Sequence, residues 1–160
     1  MSQEKEAVQV RADAVIALKP VTAESVWPIC QLSRTLDEEK RKFVADNAVS
    51  IAQAHFEPKA WFRGVYADET PVGFIMLFDD PWAPEYFLWR FMIAQPYHGM
   101  GFGRRAIELL VQYVKLRPAA TELLVSCVPG EGGPLEFYEK CGFARNGKTY
   151  DGEIGLAMEL

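Results

Sequence analysis

A chain of 160 residues is long enough for one domain and short for two. Hydrophobic residues make up 49% and charged residues 24%, which excludes a wholly disordered chain, and no apolar run reaches the roughly 18 residues of a membrane span. With 17 Lys and Arg against 22 Asp and Glu the net charge is −5, so neither a nucleic acid nor a membrane is an expected partner.

Residues 1–13 are polar and aperiodic, and the composition predicts a flexible tail ahead of a single domain over 14–160. Val15–Leu18, closed by Pro20, reads as an edge strand. Thr22 and Ser25 can open a helix, which Pro28 keeps short or irregular unless it falls in the first turn. DEEKRK reads as a solvated loop or helix start. Phe43, Val44, Ala48, Ile51, Ala52 and His55 recur at helical spacing, predicting a helix over Lys42–Phe56 that Pro58 ends. Trp61–Ala67 and Val72–Phe78 form a hairpin across Asp68–Pro71. DDPWAPE reads as an acidic loop. Tyr86–Ile93 is almost continuously apolar, the mark of a strand covered on both faces. Phe102–Leu116 carries one apolar stripe and is the clearest helix. Glu122–Val128 is a buried strand, Gly130–Pro134 a glycine-rich loop, and Leu135–Cys141 a short helix capped by Gly142. Phe143–Gly147 and Glu153–Leu160 close the chain as two strands around Tyr150–Gly152. The order predicts one mixed α/β layered domain.

Cys30, Cys127 and Cys141 are odd in number, widely spaced and free of any CxxC pair. A disulfide framework is therefore not expected, and with His55 and His98 the only histidines, no metal site is expected either. The first residues have no apolar core of the secretory kind, so a cytoplasmic location is expected.

The chemistry concentrates in QPYHGMGFGRRA, Gln95–Ala106. Gly99, Gly101 and Gly103 follow a buried strand and lead into an amphipathic helix. Backbone without Cβ atoms can approach a ligand closely, and the free N–H groups at the helix start favour an anion. Arg104 and Arg105 add positive charge. A P-loop would need Lys-Ser/Thr where Arg104 and Arg105 stand, and a dinucleotide fold would need an acid at the end of the next strand, where Glu122 stands at its start.

RFMIAQPYHGMGFGRRAIELL resembles the acetyl-CoA-binding motif of the GNAT acetyltransferase superfamily, and LEFYEKCGF resembles its second hallmark, a Tyr followed closely by Gly-Phe. FVADNAVSIAQAHFEP, PVGFIMLFDD and the late DGE are similar to the bacterial diamine/polyamine (spermine/spermidine) acetyltransferase branch. The resemblance implies an α/β (α+β) fold with a central mixed, mostly antiparallel sheet of about six or seven strands flanked by about four helices. It implies acetyl-CoA as co-substrate without a metal, and a homodimer. Backbone groups of Phe91 and Ile93 would meet the pantetheine arm. His98, Gly99, Met100, Gly101, Phe102, Gly103 and Arg104 would hold the pyrophosphate, with Tyr138 beside the sulfur. The chain departs from the pattern at His98, where Gln or Arg is usual, and at Glu131 and Pro134, where Asn and Ala are common.

Direct attack of an amine on a thioester needs no enzyme nucleophile, and none is evident here. An alkylammonium of pKa about 10 must first lose a proton, and the leaving thiolate gains from one, which the Tyr138 phenol can supply. Asp79, Asp80 and Glu85, with Trp82 between them, are candidates for a cation-attracting rim, and Glu153 for an amine contact. Arg90, inside an apolar strand, is expected in a structural ion pair. The expected activity is N-acetylation of a primary amine on a small cationic molecule, a polyamine or diamine first. Acetylation of a cationic antibiotic, acetylation of protein N-termini and a non-catalytic acyl-CoA sensor are the alternatives.

Overall fold

The computed structural model describes residues 8–160 and gives a seven-stranded sheet in the order β1-β2-β3-β4-β5-β7-β6. β1 is Ile16–Lys19, β2 Ala60–Ala67, β3 Thr70–Asp80, β4 Glu85–Ile93, β5 Glu122–Cys127, β6 Ala144–Tyr150 and β7 Glu153–Glu159. Five α-helices accompany them: α1 Val26–Leu32, α2 Glu38–Arg41, α3 Asn47–Phe56, α4 Phe102–Lys115 and α5 Leu135–Cys141. Every strand pair is antiparallel except β4 with β5. This is the mixed, mostly antiparallel α/β architecture expected.

Two hydrophobic clusters lie on the two faces of the sheet. One joins Ile75, Leu77, Leu88, Val125 and Leu156 to Phe102, Ile107, Leu110 and Val114 of α4. The other joins Phe74, Met76 and Met92 to Ile29 and Leu36, with Ile51 of α3 packed against it. The α4 stripe is buried as its spacing requires, and each such large side chain contributes about 1.5–3 kcal/mol when fully buried.

Several local features explain the element boundaries. Thr22 and Ser25 exchange hydrogen bonds, Thr22 N–H to Ser25 Oγ at 2.7 Å and Ser25 N–H to Thr22 Oγ1 at 3.2 Å. Pro28 then falls in the first turn of α1, where its missing N–H has no intrahelical acceptor to lose. Asp37 accepts the Lys40 N–H and starts α2 within the charged run. The helix expected over Lys42–Phe56 begins later, at Asn47. Asp46 is extended before it, and Phe43 and Val44 sit in the preceding loop rather than on the stripe. Asp151 (φ 50°) and Gly152 (φ 82°) make the two-residue turn between β6 and β7, a conformation suited to Asp-Gly.

The stretch expected as an acidic loop is a turn only over residues 81–84, and its acidic residues fall at the strand ends on either side. β3 extends through Asp79 and Asp80, both buried. Asp79 accepts from the Tyr113 hydroxyl at 2.6 Å and Arg117 Nε at 2.9 Å. Asp80 accepts from Lys59 Nζ at 2.7 Å and from the N–H groups of Trp82 and Ala83. These pairings make burial tolerable and tie the turn to the strand end.

Of the expected tail, residues 1–7 lie outside the described residues. Further along, Val10 packs on the core, and Arg105 donates to the carbonyls of Ala14 at 2.8 Å and Ala12 at 2.6 Å. Arg105 therefore ties the N-terminal segment to the glycine loop, where it also donates to the Gly101 carbonyl at 3.4 Å and the Met100 carbonyl at 3.5 Å, and it does not line the cavity described below.

Candidate active site

The site originates in a fault in the sheet. β4 pairs with β5 only through Phe87 with Leu124 and Leu88 with Val125. Beyond Leu88 the two strands part. On the other side of β4 the register jumps from Leu77–Leu88 to Met76–Arg90, so Trp89 is an extra residue. This bulge breaks the two-residue alternation. Leu88 belongs to the α4-side cluster, whereas Arg90, two residues on, reaches Gln53 of α3 on the opposite face.

A cavity of about 810 Å³ opens in the gap. Its lining includes Trp89–Ile93 of β4, His98, Gly99 and Gly101–Arg104 at the start of α4, and Ser126–Val128. Gly132–Pro134, Phe137, Tyr138, Glu153 and residues 40–45, the end of α2 and the loop after it, also line it.

One end suits a polyanion. Gly101 caps α4 with φ 78°, a left-handed conformation that only glycine adopts cheaply, and a Cβ there would meet nothing within 4 Å. The uncapped N–H groups of the first turn face this open space. Gly103 allows close packing, since a Cβ would come within 3.2 Å of the Phe137 ring. Phe137 in turn stacks on Phe91 at 5.9 Å. Lys40 and Arg104 bring charge, and Lys40 Nζ lies 2.8 Å from Gln95 Oε1 and 3.3 Å from His98 Nδ1.

His98 works differently from the phosphate donor the sequence suggested. Its Nε2 faces the Ile93 carbonyl, which can only accept, so Nε2 carries the proton. Nδ1 then accepts from Lys40, leaving the neutral ring without a free N–H. The cation at this corner is Lys40. The Ile93 carbonyl, expected to meet the pantetheine arm, keeps only its second lone pair.

The other end holds Tyr138, Arg90, Ser126 and Glu153. Tyr138 is buried among Phe137 and Phe143. Burial, with smaller contributions from Cys127, Cys141 and Glu153, pushes its phenol far above the ordinary tyrosine range, so it keeps its proton at neutral pH. Ser126 Oγ donates to Glu153 Oε2 at 2.6 Å. The ion pair expected for Arg90 is not formed. Its Nη1 donates to the Trp89 carbonyl at 3.0 Å and its Nη2 to Gln53 Oε1 at 3.2 Å, while Nε is buried without a partner.

Thus Phe91, Ile93, His98, Gly99, Gly101, Phe102, Gly103, Arg104, Tyr138 and Glu153 come together on one cavity. Met100 does not line it and packs on the core instead. Asp79, Asp80 and Glu85 are not brought to it. The first two are occupied in the pairings at the far end of β3, and Glu85 is exposed beside a separate, smaller recess. Glu131 is exposed and off the lining, while Gly133 packs so closely on Phe43 that a Cβ would sit 2.8 Å from the ring. Lys40, Phe43 and Ser126 had no signal in the sequence, since tertiary packing alone brings them here. Among the described residues there is no cluster of metal-ligating side chains and no helix long and apolar enough to cross a membrane.

A family model described as the acetyltransferase (GNAT) family matches residues 23–143. No curated protein sequence matches significantly. Among solved structures, a GNAT family acetyltransferase from Elizabethkingia anophelis with acetyl-CoA bound is 18% identical, with a TM-score of 0.65 over 91% of this chain and 98% of that one. The PaiA N-acetyltransferase of Thermoplasma acidophilum in complex with coenzyme A is 16% identical, with a TM-score of 0.66 over 91% and 99%. An acetyltransferase from Salmonella typhimurium that modifies the N-terminal serine of a 50S ribosomal subunit protein is 10% identical, with a TM-score of 0.75 over 94% and 98%. At these identities the likeness is one of fold.

Proposed function

The chain belongs to the acetyltransferase (GNAT) family, and we propose that it is an acetyl-CoA-dependent N-acetyltransferase whose acceptor is a primary amine on a small molecule. The observation that carries this reading is one continuous cavity, running from the glycine-flanked start of α4 past the open edge of β4 to Tyr138 and Glu153.

The residues fit the coenzyme. The α4 N-terminus between Gly101 and Arg104, with Lys40, would hold the diphosphate, and the open edge of β4 at Phe91 and Ile93 would face the pantetheine arm. Bound there, acetyl-CoA supplies an acetyl group activated as a thioester.

The chain's own groups account for the proton movements. Glu153 meets the incoming ammonium and takes one proton, passing it to solvent, because only the neutral amine attacks. The nitrogen–carbon bond forms as the carbon–sulfur bond breaks. Tyr138 gives its phenolic proton to the departing sulfur, and the second proton shed by the nitrogen restores the phenol. An N–H on the open edge of β4 is suited to the negative charge that gathers on the carbonyl oxygen.

A polyamine acceptor would be supported by Glu153 and by the likeness of DGE to the polyamine branch. The acceptor end opposes it: Arg90 lies there without a carboxylate partner, and the acidic pair Asp79 and Asp80 is elsewhere. The same end opposes a cationic antibiotic. Nothing in the Glu131–Pro134 loop favours a sensor, since its glycines leave the cavity open.

Purified protein with acetyl-CoA and a panel of primary amines is expected to release free thiol and N-acetyl product together. Binding of acetyl-CoA with no thiol release for any amine would contradict catalysis and favour the sensor.

A further inference from the structure

Arg90 is a cation placed in the acceptor end of the cavity with no carboxylate paired to it. Two of its five N–H groups are used, both by neutral acceptors, the Trp89 carbonyl and the Gln53 side chain. Its guanidinium lies 5.5 Å from the centre of the Trp89 ring. Burial works against its charge, and Glu153, which is near enough to support it, forms no ion pair with it. The Glu153 carboxylate is instead held by Ser126. A cation and an anion thus share one end of the cavity without neutralising each other, and the β4 bulge is what turns Arg90 to this face.

We propose that this end selects an acceptor carrying both charges close together, an amine with a carboxylate near it in the manner of an amino acid, with Arg90 binding the carboxylate and Glu153 the ammonium. The proposal rests on the amine-acetylating function above and specifies its substrate class. A guanidinium fork matches a carboxylate with two parallel hydrogen bonds. The same fork repels a second ammonium, so a polyamine is rejected by the residue that admits an amino acid. The transfer is unchanged: the nitrogen gains the acetyl carbon, the sulfur leaves and is protonated by Tyr138, and the acceptor keeps its carboxylate. The product therefore loses its positive charge and becomes a net anion.

The test compares matched acceptors on the intact protein with acetyl-CoA: phenylalanine, phenylalaninamide and phenethylamine, with spermidine as the polycationic contrast. Phenylalanine is expected to exceed both analogues in kcat/KM by about tenfold to a hundredfold, the range for a hydrogen-bonded charged group. In Arg90→Gln that ratio should fall toward one, and Arg90→Lys should restore part of it. Turnover of the amines without preference for the carboxylate, or of spermidine above phenylalanine, would overturn the proposal and leave amine acetylation standing. A preference that survives in Arg90→Gln would overturn the role of Arg90. No thiol release with any of the amines would remove the underlying reading and this proposal with it. The comparison of acceptors on the unaltered protein stands even if Arg90→Gln does not fold.

Discussion

The two ends of the cavity are built on different principles. The coenzyme end is mainly backbone: a strand edge, a left-handed glycine at a helix start and the free N–H groups behind it, all within Phe91–Arg104. The acceptor end is side chain: Arg90, Ser126 and Glu153 come from three strands, and Gln53 supports Arg90 from α3. Backbone sites tolerate many side chains and bind a constant ligand, whereas side-chain sites decide what is admitted. Tyr138 stands where the two meet.

That contrast can be broken most sharply at Tyr138. Tyr138→Phe should lower kcat by about 100-fold, the usual size of acid catalysis, with acetyl-CoA affinity kept. Because burial raises the phenol's pKa well above the ordinary value, no alkaline loss of activity from Tyr138 itself is expected below about pH 10. A steep loss near pH 8 that disappears in Tyr138→Phe would assign the residue another role. At the coenzyme end, Lys40→Ala should weaken acetyl-CoA about threefold to tenfold, with the effect shrinking as salt is added. Equal affinity at all salt concentrations would move the diphosphate away from Lys40.

The smallest effect on function is expected outside both ends. Lys59 holds the Asp80 carboxyl below its ordinary pKa, so Asp80 binds fewer protons in the folded chain than in the unfolded one. Its contribution to stability is full above the unfolded pKa, about 4, and is lost as pH falls through the lower folded value. Asp80→Asn should therefore lower Tm at pH 7, with the gap closing at acid pH, and leave acetyl transfer unchanged. Lost turnover in a folded Asp80→Asn protein would return the acidic hairpin to the acceptor site.

The sequence was most readable where its signal is local. The α4 stripe, the glycine alternation after β4 and the Asp151-Gly152 turn each carry their cause within a few residues, and their positions follow the sequence closely. The acidic stretch misled at its two aspartates, because composition cannot reveal that Lys59 and Arg117 arrive from distant parts of the chain to pair with them. The early helix misled because Phe43 and Val44 continue its period yet serve the cavity loop. His98 kept its place but not its expected contact, since its partners, the Ile93 carbonyl and Lys40, are set by a fold-level approach of α2 to the glycine loop. The acceptor end was least readable, because a strand bulge decides which face Arg90 takes.

The central claim is that the start of α4 holds the diphosphate of acetyl-CoA. Isothermal calorimetry of acetyl-CoA binding to the unaltered protein and to Gly101→Val tests it most directly. A β-branched residue at φ 78° strains or displaces the first turn of α4. The account predicts saturable heat for the unaltered protein and affinity lower by about tenfold or more in a variant that remains folded. No heat from the unaltered protein, or equal affinity for both, would contradict it.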